Sequence, residues 1–168
     1  TKGEQFLSKN PPHTGHIRQI LEMFPNAKFI YLVRNPYTVF ESTRSFFCNT
    51  IQPLKLQHIS DEELENNILE VYKRLYRRYE QDKQLIPAGN LIEIKFEDYE
   101  KDALAITEKI YKTLSLPGFE NAKADIARYL DKKKGYKKNA YKYEDRTIEL
   151  VEKNWDFALK QWGYERLG

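Results

Sequence analysis

Five consecutive apolar residues, Phe29-Ile30-Tyr31-Leu32-Val33, stop abruptly at Arg34-Asn35-Pro36. A short unbroken run of β-branched and aromatic residues marks a strand covered on both faces, as in a parallel sheet. Asn35 is a favoured helix N-cap and Pro36 a favoured first helical residue. The unit therefore reads strand, tight turn, helix, with Arg34 at the carboxyl end of the strand. In open α/β sheets that end is where ligands bind.

The rest of the chain must be fitted around this unit. Gln5 to Ser8 reads as a short extended piece, halted by Asn10-Pro11-Pro12. After His13, the spacing of Ile17, Ile20, Leu21 and Phe24 describes one helical face, and Pro25-Asn26 gives a turn. Ser60-Asp61-Glu62-Glu63 is a capping box that opens a long helix, with Leu64, Ile68, Val71, Tyr72, Leu75 and Tyr79 inward. Pro87 to Asn90 breaks it, and Leu91 to Phe96 is another strand. A helix carrying Ala103, Ile106, Ile110 and Leu114 ends at Leu116-Pro117-Gly118. Phe119 to Leu130 is helical, and Asp131 to Tyr143 forms a basic, tyrosine-rich loop. The last helix buries Ile148, Val151, Trp155, Ala158 and Trp162. Strands alternating with helices predict an α/β fold with a mostly parallel sheet, in one domain over 1–168. Three strands are few for an independent doubly wound domain, and the chain opens without methionine. Both features lead to the expectation that amino-terminal structure is missing.

Composition removes several classes of function. Lys and Arg number 28 against 25 Asp and Glu, a net charge of +3, too balanced for a polyanion binder and hence for nucleic acid. No apolar run approaches the roughly 18 to 20 residues of a membrane span. The single cysteine, Cys48, excludes an internal disulfide and any multi-thiolate metal site, and three histidines leave little for zinc.

Arg34 and Ser42, eight residues apart, are the residues with chemistry to offer. A guanidinium can give two parallel hydrogen bonds to a phosphate, and a serine hydroxyl a third. The alternative is that Arg34 pairs with a carboxylate and Ser42 faces a neighbouring helix. Tyr37 and Phe40 lie close by in sequence. The run from Arg128 to Lys142 holds seven basic residues against Asp131 alone. It reads as a solvated loop, as a flap that closes over phosphates or, with its interleaved tyrosines, as a nucleic-acid contact, which the shortness of the run and the near-neutral chain disfavour.

The segment Lys28 to Phe47 resembles the 3'-phosphate-binding motif of sulfotransferases that use 3'-phosphoadenosine 5'-phosphosulfate (PAPS). In that family a strand ends in Val-Arg-Asn-Pro or Val-Arg-Asp-Pro and a serine follows eight residues on. Lys9-Asn10-Pro11-Pro12-His13, Leu21 to Lys28, Phe96-Glu97-Asp98-Tyr99 and the Trp155 to Tyr164 segment are similar to the same broad group. The resemblance implies that Arg34 and Ser42 hold the donor's 3'-phosphate. It implies that His13 is the base that deprotonates the acceptor and that Lys9 orients it or attracts the donor; the alternative is that His13 only caps or begins a helix. In cytosolic enzymes the histidine follows the lysine by two residues; here it follows by four. Lys134, Gly135 and Tyr136 loosely echo a late basic loop that also meets the 3'-phosphate. The implied fold is three-layered and P-loop-like. The implied reaction is sulfuryl transfer from PAPS to a hydroxyl or amine, releasing adenosine 3',5'-bisphosphate, with no obligatory metal. The family's 5'-phosphosulfate loop, whose amides cradle the anion, has no counterpart here, nor does G-x-x-x-x-G-K-[ST]. The chain would then hold half of the donor site, as the carboxyl-terminal portion of the domain. A nucleotide-dependent kinase of related fold and a non-catalytic interaction module remain the alternatives.

Overall fold

The computed structural model describes residues 5–54, 56–133, 135 and 141–168. A 3-10 turn at Pro11–Gly15 leads into α1 (Ile17–Met23), β1 (Phe29–Val33) and α2 (Pro36–Ser45), which continues as a π turn at Phe46–Thr50. The long α3 (Asp61–Asp82) precedes β2 (Leu91–Lys95), and α4 (Phe96–Lys101), α5 (Ala103–Thr113), α6 (Phe119–Lys133) and α7 (Asp145–Trp162) complete the chain. β1 and β2 pair in parallel, Phe29 opposite Leu91 through Val33 opposite Lys95. The α/β class and the parallel pairing follow the sequence.

The strand count does not. Among the described residues the sheet has two strands, and Gln5 to Ser8 pairs with neither. Its apolar residues, Phe6 and Leu7, are 90% and 88% exposed. Adjacent residues of a strand point to opposite faces, so this pair defines no single face to bury.

The helices form where the caps said they would. The Asn35 side chain accepts from the Tyr37 N–H at 3.0 Å, and Ser60 Oγ accepts from the Glu63 N–H at 3.1 Å. In α3 the buried face holds Leu64, Ile68, Leu69, Tyr76 and Tyr79, whereas Val71, expected inward, is exposed. Over 22 residues a helix collects more than one partner, and its buried stripe drifts. The upper part of α3 meets α2 and α7, and the lower part meets α1 and the sheet.

Among the described residues three clusters make the core. Tyr37 and Phe40 of α2 pack with Leu64, Ile68 and Leu69 of α3 and with Val151, Trp155 and Leu159 of α7. Trp155 is fully buried at a kink in α7, where its φ of −123° leaves the helical region, and its Nε1 donates to the Leu69 carbonyl at 3.1 Å. Ile17, Tyr79 and Ile86 cover the face of β1 and β2 that carries Phe29, Tyr31 and Leu91. On the opposite face Ile92 and Ile94 pack against Leu114, with Ile106 and Ile110 of α5. Gly163 ends α7 in the left-handed region, φ 59°, which lets the Tyr164 N–H reach back to the Leu159 carbonyl at 2.9 Å.

Candidate functional site

The strand register fixes the first residue of the site. Because Val33 stands opposite Lys95, the next residues out, Arg34 and Phe96, emerge side by side at the carboxyl edge of the sheet. The Arg34 guanidinium lies over the Phe96 ring, 4.6 Å from its centroid. Among the described residues Arg34 has no hydrogen bond or ion pair. The carboxylate partner that the alternative reading required is absent there. The arginine of this region that does pair is Arg44, to Glu41 at 3.2 Å and to Glu65 at 3.4 Å. Glu65 is shared with Arg146 at 2.8 Å, and Glu41 also accepts from Thr147 Oγ1.

Ser42 sits partly exposed, two turns along α2, and its hydroxyl has no partner among the described residues. One turn before it, Thr38 Oγ1 hydrogen-bonds the Tyr143 hydroxyl at 2.6 Å. Tyr141 lines a cleft of about 320 Å³ with Glu41, Arg44, Ser45, Cys48 and Asn49. The end of the basic segment thus returns against the helix that carries Ser42. Its beginning is not a loop: α6 runs through Lys133, and Arg128 pairs with Asp125 at 3.1 Å within it. Good helix formers, Lys132 and Lys133, carry the helix on past its last apolar residue. Lys134 and Tyr136 lie outside the described residues.

Tyr37 and Phe40 are not at the site surface. Both are fully buried in the α2–α3–α7 core. Pro36 starts the helix with Tyr37 and Phe40 three apart on its inner face, and a partly exposed stripe passes instead through Thr38 and Ser42. The Tyr37 hydroxyl does reach Glu152 Oε1, at 2.7 Å, and burial followed by that bond pushes it up to about 12. Glu152 Oε1 also accepts from the Leu167 and Gly168 N–H groups, at 2.9 and 3.1 Å. The Tyr37 hydrogen bond, followed by the Leu167 N–H, holds the Glu152 carboxyl below the usual carboxylate range.

A second carboxylate holds the turn that carries Arg34. Glu97 Oε1 accepts from the Asn35 N–H at 2.9 Å, and Glu97 Oε2 accepts from the Tyr164 hydroxyl at 2.7 Å. Burial, then the Glu97 bond, raises the Tyr164 hydroxyl far above its ordinary value, so it stays a neutral donor. The Tyr164 ring in turn faces Lys95 Nζ at 4.8 Å. Glu97 belongs to the Phe-Glu-Asp-Tyr segment picked out in the sequence, but its partners lie 62 and 67 residues away along the chain. Nothing in the local pattern names them.

His13 lies in the 3-10 turn, and contacts along α3 give its level. Tyr31, in mid-strand, stacks on Tyr79 with centroids 3.8 Å apart. One turn earlier in α3, Leu75 is so close to Gly15 that a Cβ there would come within 3.1 Å of it. Arg18 pairs with Asp82 at 3.6 Å, towards the other end of α3. A helical turn spans about 5.4 Å and two strand residues about 6.6 Å. The turn bearing His13 is therefore level with the carboxyl edge of the sheet, the edge that carries Arg34. His13 Nε2 is 3.1 Å from Ser8 Oγ and 3.5 Å from Asn10 Nδ2, while Nδ1 is buried without a hydrogen-bond partner among the described residues. Lys9 is exposed on the segment before the turn. His16 is exposed, and its ring is 6.4 Å from that of His13. No group of three or more metal-ligating side chains occurs among the described residues, and no helix there is long and apolar enough to cross a membrane.

A model of the sulfotransferase family matches residues 1–121. Two curated relatives, the omega-hydroxy-beta-dihydromenaquinone-9 sulfotransferases Stf3 of Mycobacterium bovis and Mycobacterium tuberculosis, are each 30% identical over 160 residues, or 95% of this chain. The chain spans 41% of the length of those relatives. No solved structure matches it. With the family match covering most of the chain, and the strand-end arginine within it, the chain belongs to the sulfotransferase family.

Proposed function

We propose that the protein transfers a sulfuryl group from PAPS to an acceptor hydroxyl, and that this chain supplies the 3'-phosphate half of the donor site. The observation that carries the reading is Arg34: a guanidinium held at the carboxyl edge of a parallel sheet, backed by Phe96 and without an ionic partner among the described residues. Such a group has its hydrogen-bonding capacity to spare for a doubly charged phosphate. Ser42, partly exposed on α2, adds a hydroxyl donor. The N-terminal amides of α2 contribute less, because Asn35 and Glu97 already occupy two of them. Lys134 and Tyr136 belong to the same reading as residues of a basic segment that returns beside α2. A three-layer, P-loop-like arrangement of the whole domain is part of it as well.

The reaction is an in-line displacement at sulfur. The acceptor oxygen forms a bond to sulfur and gives up its proton to a base. The bond from sulfur to the 5'-phosphate oxygen breaks, and its electron pair leaves with adenosine 3',5'-bisphosphate. His13 is the proposed base, and Lys9 attracts the anionic donor. Positioning and fixed charge do most of the work in such transfers. An amine would serve the same chemistry. The hydroxyl is preferred because the relatives' name specifies an omega-hydroxy acceptor.

Calorimetric titration of the intact protein with adenosine 3',5'-bisphosphate and with 5'-AMP tests the reading. The bisphosphate binds more tightly, and Arg34→Ala removes most of the difference. Losing hydrogen bonds to a charged group costs about 1.5 to 3 kcal/mol, or roughly 10- to 150-fold in affinity. Equal losses for the two nucleotides would sink the 3'-phosphate assignment.

A further inference from the structure

Arg34 stands on a turn, and a turn holds a guanidinium in place only if its own backbone is held. The Phe96 ring restrains the Arg34 side chain from one side by an attraction of moderate strength. Besides the turn's own capping bonds at Asn35, a carboxylate from another element restrains the backbone. Glu97 Oε1 takes the N–H of Asn35, the residue directly after Arg34, and Oε2 takes the Tyr164 hydroxyl. Tyr164 is anchored in its turn, through the Gly163 cap, to the end of α7. One side chain thus ties together the end of β1, the start of α4 and the segment after α7.

We propose that Glu97 is a positioning residue for donor recognition: it sets the β1–α2 turn so that Arg34 meets the 3'-phosphate. The inference rests on the donor-site reading above. Glu97 itself does not touch the nucleotide. Its charge would oppose a phosphate, and both its oxygens are spent on protein donors. The carboxylate shape matters more than the charge. An amide in its place keeps an oxygen for the Asn35 N–H and offers its NH₂ to the Tyr164 oxygen. Alanine loses both links and leaves the Asn35 N–H without its acceptor.

The proposal makes a pattern that a general loss of stability does not. Glu97→Ala weakens adenosine 3',5'-bisphosphate binding by about 10-fold and 5'-AMP binding by less than about 2-fold, since only the former uses Arg34. Glu97→Gln restores most of the bisphosphate affinity. Arg34→Ala/Glu97→Ala binds the bisphosphate no more weakly than Arg34→Ala, because the second change acts through a group already removed. Should Glu97→Ala fail to fold, Tyr164→Phe cuts one link and gives a smaller loss of the same selectivity. Additive losses in the double variant, or equal losses for the two nucleotides, overturn the role of Glu97 while leaving Arg34 in place. If Arg34→Ala itself discriminates between neither nucleotide, the donor-site reading and this inference fall together.

Discussion

At the scale of single residues, His13 offers the clearest contrast with Arg34. Arg34 is readable from its place after Val33, and among the described residues its guanidinium has no hydrogen bond or ion pair. His13 stands two prolines after Lys9, and only the packing of Gly15 on Leu75 reveals that its turn is level with the same sheet edge. Its Nε2 lies 3.1 Å from Ser8 Oγ, Nδ1 has no hydrogen-bond partner among the described residues, and a neutral imidazole keeps a lone pair on one of the two nitrogens for the proposed proton transfer. In the intact protein His13→Ala therefore lowers kcat by about 100-fold or more, within the range for general-base removal. The affinity for adenosine 3',5'-bisphosphate stays unchanged. Formation of adenosine 3',5'-bisphosphate in the presence of a hydroxyl acceptor reads the first quantity and calorimetry the second. Wild-type turnover in the variant would assign the base elsewhere.

At the scale of elements, the segment after α7 works as a strap. Tyr164 ties it to α4 and the β1–α2 turn through Glu97, and its last residues tie to α7 and α2 through Glu152 and Tyr37. Glu152 has a lowered pKa in the folded protein, caused first by the Tyr37 hydroxyl. The sign follows directly. A carboxyl that loses its proton more readily when folded stabilises the fold above its unfolded value, about 4.3, and that contribution disappears as pH falls through the lowered value. The gap in thermal midpoint between the wild type and Glu152→Gln is steady from pH 7 to about 5 and closes as the pH falls below the unfolded value of about 4.3. A gap that ignores pH would mean that the charge on Glu152 does not secure the strap. Neither Glu97 nor Glu152 could be assigned from the sequence. Helix caps, strand runs and apolar spacing are local, so Asn35, Ser60 and the strand before Arg34 were legible. A carboxylate that joins residues more than 60 positions apart leaves no periodic trace, and neither does Val71 turning outward where α3 changes partners.

At the scale of the whole molecule, the two strands are covered unequally. Leu32 and Ile94 are register partners on one face of the sheet. Ile94 is 5% exposed beneath α5, whereas Leu32 is 50% exposed, and Ile30 beside it is similarly bare. The continuous apolar run of β1 predicted cover on both faces, yet among the described residues only the Phe29 and Tyr31 face has it. Two side chains of nearly the same size, side by side in one ladder, should therefore differ sharply in what they contribute. Truncating a covered aliphatic residue removes its transfer free energy and leaves a cavity, at about 2 to 5 kcal/mol. Truncating one that water already reaches leaves no cavity and costs under about 1 kcal/mol. Urea unfolding of the 168-residue chain should place Ile94→Ala in the first range and Leu32→Ala in the second, with the same m-value for both. Equal losses would mean that a surface packs onto β1 in solution. The site would then stand beside a strand covered on both faces, as its apolar run predicts.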